Sequence, residues 1–302
     1  MIEALRLSDR LIDLADGDPT KGNLFFGSPL STAIAMRGHV KMCLGMRGWQ
    51  DDAATSIAMA APLDPVSYAF ALVWKYVASI PFGALPPDAT AMRDTAEALQ
   101  IAERSSVDFF LGMGRISRGL ALVTRDGPQR EAGLDLFTQA RDAAFSERLS
   151  LSALAVVDPE FAMEKARNGD LDGAIEMVRA VVDGAYESGD MVWRGRATNV
   201  LVELLVRRGS ADDQHQAQAA IDRLAAVPTD PGFVLHELPL LRSRALVARA
   251  HGDENSCRNF MERYRSTAAA AGFKTLLAQE EATRLPPQGR SETHPPGRLT
   301  NP

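Results

Sequence analysis

The stretch ARNGDLDGA, residues 166–174, decides the fold. It reads as the turn of a helical hairpin: basic residues close one helix, Gly169 ends it, and Asp170 stands where the next helix needs a cap. Three further turns follow the same plan: GMRGWQDDA at 45–53, TRDGPQREA at 124–132 and ARAHGDENSC at 248–257. Five residues after Gly48, Gly127, Gly169 and Gly252 come Ala53, Ala132, Ala174 and Cys257, all small. Nine residues after them come Ile57, Leu136, Val178 and Met261, all apolar. The small residue is expected where the second helix crosses the first, and the apolar one a turn further along the same face.

A fifth turn, RRGSADDQHQA at 207–217, fits with three extra residues, which moves the small and apolar positions to Ala217 and Ile221. The turn glycines at 127, 169, 209 and 252 stand 42, 40 and 43 residues apart, and Gly48 to Gly127 is 79, two such units. A sixth hairpin is expected between Tyr68 and Arg104, turning at PFGALPPD, with prolines in place of the turn glycine. A period near 40 with two helices per unit predicts an α-helical solenoid.

Apolar periodicity places helices at 1–16, 28–45, 49–61, 66–79, 89–105, 108–124, 129–147, 153–168, 171–187, 191–208, 213–226, 235–251 and 254–272, with a short last one over 274–284. No run alternates as a strand does. The expected fold class is all-α: about six helix hairpins over residues 1–285, followed by a proline-rich, polar and disordered tail at 286–302.

Composition agrees. Apolar residues make up 46% and charged residues 24%, as in folded proteins, and the aromatic share of 6% favours helix over strand. The net charge of −6 argues against a general affinity for nucleic acid. Only five residues are lysines, so arginine carries nearly all the basic charge. Cys43 and Cys257 form neither a disulfide framework nor a zinc spacing, which fits a reducing cytoplasm. The first residues lack the apolar stretch of a signal peptide, and no uncharged apolar run is long enough to cross a membrane. Helical periodicity that begins at Ile2 without a cap suggests the tail of something longer.

Several stretches imitate chemistry. LADGDPTKGNLFFGSPLS at 14–31 has the residues of a phosphate loop, but its lysine precedes its glycine and no strand leads in. It reads instead as a helix stop at Gly17 and a new helix capped by Ser28 with Pro29 in its first turn. GMGRIS at 112–117 lacks the third glycine of a dinucleotide fingerprint and reads as small residues at a helix crossing. His39 and Cys43, four apart on one helix, are two potential metal ligands where a site needs more. No G-x-S-x-G, H-E-x-x-H or class III cyclase metal-aspartate motif occurs. Trp49, Trp74 and Trp193 are expected as aromatic anchors between helices.

The turns Gly169-Asp170, with Ala174 behind it, and Gly252-Asp253 resemble those of tetratricopeptide repeats. The run RLSDRLIDLADGDPTKGNLFFGSPLSTAIAMRG resembles the start of the C-terminal helical region of bacterial signalling proteins. In those proteins a class III adenylate/guanylate cyclase domain is joined to an AAA-type ATPase domain and then to a tetratricopeptide-like region. GWQDDAATSIAMA, ALQIAERSS, AAIDRLAAVPTD and LLRSRALVARAHGD fit the same region, and the likeness extends over roughly residues 5–285. It implies a regulatory module without the cyclase or ATPase domain.

In a tetratricopeptide-like array the first helices line the concave face. There Arg37, Arg118, Arg194 and Arg242 each precede a small residue, and Arg196 and Arg244 repeat the charge two residues on. Stacked arginines would favour an acidic peptide, a carboxylate or a phosphate, whereas the ordinary fate of such residues is solvation or pairing with acids of a neighbouring helix. The sequence therefore predicts a non-catalytic, cytoplasmic scaffold with no cofactor or metal. Its partner would be a protein segment or effector, or a cyclase or ATPase domain, and not nucleic acid or membrane. A separated fragment of a cyclase–ATPase regulator and a small-molecule sensor with a pocket between hairpins are the alternatives.

Overall fold

The structure, a computed structural model, describes residues 1–22, 27–105 and 107–278. Helix α1 (Ile2–Ala15) precedes six hairpins. These are α2 (Pro29–Cys43) with α3 (Trp49–Ala60), α4 (Pro65–Tyr76) with α5 (Ala89–Arg104), and α6 (Asp108–Leu122) with α7 (Pro128–Phe145). Then come α8 (Leu154–Arg167) with α9 (Leu171–Glu187), α10 (Arg194–Arg208) with α11 (Ala211–Ala225), and α12 (Val234–Ala250) with α13 (Glu254–Ala271). A 3-10 turn, Leu151–Ala153, leads into α8, and residues 274–278 are helical again. The described residues contain no strand.

The helix starts follow from the sequence. Ser28, Asp64, Asp88, Asp170, Ser210 and Asp253 each accept a hydrogen bond from the backbone N–H three residues on. Each such cap satisfies a donor that the helix itself cannot. The 14–31 stretch behaves as a connector. Asp16 takes the left-handed conformation after α1, Lys21 Nζ donates to the Leu14 carbonyl at 2.6 Å, and Ser28 caps α2. Its residues 23–26 lie outside the described ones, as do the expected tail at 286–302 and the end of the 274–284 helix.

Helices α2, α4 and α6, and then α8, α10 and α12, pack successively and form an inner layer. The second helices pack on their own partner and on the first helix of the next hairpin, so they lie outside. The small and apolar positions read from the turns are buried at Ala174, Val178, Ala217, Ile221, Cys257 and Met261. In the 124–132 unit the register is one residue later. Ala132 is exposed and Leu136 half-buried, while Gly133 and Phe137 lie inside. The cause is a closer crossing. A Cβ on Gly119 would stand 2.5 Å from the Phe137 ring, and one on Gly133 would stand 2.9 Å from Val123. Paired glycines let the backbones approach more closely than alanine permits, and Phe137 fills the space beyond.

The α4–α5 hairpin forms as expected, but its connection is not a surface turn. Val77, Ala78, Ser79, Ile80, Phe82 and Ala84 are all buried. The Gly83 carbonyl accepts from Leu276 N at 3.0 Å, next to the fully buried Phe273. The main core therefore runs from Val40 in α2 through this segment to Phe273, and a second cluster fills α8 to α11. The stack also curls back on itself. The turn after α2 meets the start of α12, where a Cβ on Gly45 would lie 2.6 Å from Val234. Asp230, just before α12, accepts from the Ile2 backbone N–H at 3.1 Å. Helix α1 packs on α2 but leaves Leu7, Leu11 and Leu14 exposed at 53%, 52% and 59%. Among the described residues no helix is long and apolar enough to cross a membrane.

Candidate functional site

The six arginines singled out in the sequence do not form one stripe. Arg37 is spent between helices: its Nε and Nη2 donate to Asp52 of α3 and its Nη1 to Asp9 of α1. Burial would raise the Asp52 carboxyl, but hydrogen bonds from Arg37 and Lys41 outweigh it and hold the group below its usual value. Arg118 turns to α5, where its Nη1 donates to the Met92 carbonyl at 2.6 Å and to Thr95 Oγ1 at 3.3 Å. Arg194 is buried at the start of α10, with its guanidinium 5.0 Å from the centre of the Tyr186 ring. Arg244 lies 5.9 Å from the Phe260 ring centre. These four hold helices to one another.

Arg196 and Arg242 come together. They share a cavity of about 390 Å³ on the inner layer with Arg167, from the last turn of α8. The same wall carries Glu160, Glu203 and Asn199, and Phe82 and Pro81 of the buried connection close one side. Arg196 pairs with Glu160. Arg242 donates to Asn199 Oδ1 at 3.0 Å and pairs with Glu203 at 3.3 Å. Arg167 bonds Glu164 at 3.1 Å. Arg196 Nη1 is buried and has no hydrogen-bond partner among the described residues. Arg167 could not be singled out from the sequence, because a basic residue in the last turn of a helix already answers the helix dipole. Its one signal is a seven-residue spacing from Glu160, which places both on the same side of α8.

A second cavity, of about 290 Å³, opens on the inner layer of the first hairpins. Four rings line it, His39 of α2, Trp74 of α4, Phe109 of α6 and Trp193 before α10, set among aliphatic side chains such as Ile116 and Leu149. Helix α10 starts at Arg194, three residues later than periodicity suggests. Asp190 Oδ1 accepts from both Val192 N and Trp193 N at 2.9 Å and holds a turn there instead. The Trp193 and Phe82 rings meet at 5.4 Å, so this pair stands between the two cavities. Trp49 is a buried anchor, as expected, whereas Trp74 and Trp193 also face open space.

His39 and Cys43 do lie side by side, with Sγ 3.6 Å from Nε2. Burial pushes the imidazole down to about 4 and the thiol up to about 12. At neutral pH the pair is a neutral ring against a protonated thiol, not a thiolate–imidazolium pair. Among the described residues no group of three His, Cys, Asp or Glu side chains is placed to hold a metal ion.

The fold and its inner layer define an all-α protein of stacked helix hairpins, with one arginine-lined and one aromatic-lined cavity facing inward. No protein-family model, curated protein or solved structure matches the chain.

Proposed function

We propose that the chain is a non-catalytic helical-repeat module that binds an acidic protein segment or effector in the groove of Arg167, Arg196 and Arg242. Arg196 carries this reading. Part of its guanidinium is engaged by Glu160, while Nη1 is buried and unpartnered among the described residues. A buried N–H without an acceptor is costly, and a carboxylate or phosphate oxygen is the acceptor a guanidinium fits best.

Hexa-aspartate with a free C-terminal carboxylate is a suitable probe, titrated at low salt. Arg196→Gln and Arg242→Gln should each weaken binding about tenfold or more, as expected for a lost charged hydrogen bond. Unchanged affinity in both variants would sink the reading. Arg118 and Arg194 are poor test positions, because removing them breaks contacts between helices.

The exposed Leu7, Leu11 and Leu14 support a second reading, in which α1 docks on another protein domain. The resemblance to the region that follows cyclase and ATPase domains makes such a domain the partner to examine. An antibody against residues 28–105 would read the polypeptide mass in its own cells. A band far above 32.6 kDa would support attachment to such a machine. A band at that mass would leave a free-standing adaptor.

A further inference from the structure

The aromatic cavity takes no part in the arginine groove, and its wall specifies a different ligand. At about 290 Å³ it lies at the small end of the range for small-molecule sites. It is reachable, since Phe109 on its rim is 41% exposed and Ser150 and Ser152 are exposed beside it.

Two polar atoms of the wall residues have no hydrogen-bond partner among the described residues: His39 Nδ1 and Trp74 Nε1. The two rings are neighbours, edge to face at 5.0 Å. The Trp74 N–H can only donate. In the tautomer that carries the ring proton on Nε2, towards Cys43 Sγ, Nδ1 of the neutral ring is an acceptor, and that is the form the ligand below would select. One donor and one acceptor thus stand close together in an apolar, aromatic surround. Among the described residues of the wall the one carboxylate, Asp190, already accepts from two backbone N–H groups. Among the described residues no cationic side chain lines the cavity, so an anion would be stripped of water without compensation from them.

We propose that this cavity binds a neutral, flat molecule of one or two heteroaromatic rings, with an acceptor and a donor side by side on one edge. The acceptor takes the Trp74 N–H, the donor gives to His39 Nδ1, and the ring faces lie against Trp193 and Phe109. His39 and Trp74 also wall a void of about 10 Å³ with Trp49, whose Nε1 is likewise unpartnered among the described residues. That void has room for a single water, which is the competing explanation of the three nitrogens.

The test is a titration of the full chain with quinolin-2-one, whose ring N–H adjoins its carbonyl, and with its N-methyl derivative, which lacks the donor. Tryptophan emission and melting temperature are the readouts. Saturable one-to-one binding is expected, at least about tenfold weaker for the N-methyl probe and for His39→Leu. Val192→Trp, which fills the cavity from its surface turn, should abolish binding and leave hexa-aspartate binding unchanged. Absence of saturable binding at millimolar probe overturns the proposal. Equal affinity for the two probes does so too, because the nitrogens are then served by water. So does binding that survives Val192→Trp. Val192→Trp and the probe pair decide the matter even where His39→Leu fails to fold.

Discussion

At the start of α11, Asp213 accepts from the Ser210 backbone N–H and from two nitrogens of Arg208. The Arg208 hydrogen bonds hold its carboxyl well below the usual range. A carboxylate held down in this way stabilises the fold above about pH 4 and loses that contribution as pH falls further. Asp213→Asn should cost about 1 kcal/mol in denaturant unfolding at neutral pH, as the loss of a capping partner does. His39 acts earlier in an acid titration. Burial keeps its folded pKa near 4, against about 6.5 unfolded, so protonation favours the unfolded chain as pH falls from 6.5 towards 4. Stability should drop by about 2–3 kcal/mol over that window. His39→Leu should flatten the drop and leave the smaller slope due to His236, also held down by burial and by Arg194. A melting temperature of the His39→Leu protein that still falls as steeply would show that the ring is not buried neutral. The Ser210–Asp213 spacing of a capping box stands in the sequence, but apolar periodicity started this helix at 213 and passed over it. The sequence could not show that His39 is walled by Trp74, because that neighbour comes from another hairpin.

At the scale of elements, helices were legible to within about three residues at each end because capping and periodicity are local. Close approaches between helices were only partly so. Gly195 on α10 faces α12, where Pro239 lacks the N–H that the Leu235 carbonyl would otherwise accept from. A Cβ on Gly195 would lie 3.0 Å from that carbonyl oxygen and 3.4 Å from the Pro239 ring. Gly195→Ala should therefore cost about 1–2 kcal/mol, the strain of overpacking exceeding the roughly 1 kcal/mol gained in helix propensity. Equal or greater stability of that variant in urea would mean that α10 and α12 are free to separate. The sequence showed an Arg-Gly pair here and invited attention to the arginine, whereas the glycine sets the packing. The buried 77–85 connection was missed for a related reason. Prolines and a glycine mark a turn, but burial of Ile80 and Phe82 depends on helices far along the chain.

The whole molecule departs from an open stack. In an open solenoid each repeat touches only its neighbours and can unfold piecemeal. Here one core joins Val40 to Phe273, and the turn after α2 meets the start of α12. Unfolding should be a single transition, with the emission of Trp49 and of Trp193 changing at the same denaturant concentration when the other tryptophans are replaced by Phe. Midpoints that separate would show that the closure adds no cooperativity. Phe273→Ala should lower both midpoints together, with a loss of about 3–5 kcal/mol of stability, because the ring is wholly enclosed. The period of about 40 residues predicted a stack, but nothing in a repeat unit says how far the stack curls.

The Phe82–Trp193 contact has a consequence for any guest of the inner layer. The two rings form a partition between the chambers, Phe82 on the arginine side and Trp193 on the aromatic side. A protein partner that fills both would have to pass over that partition, whereas a chain end or a tight bend would fill the arginine side without crossing it.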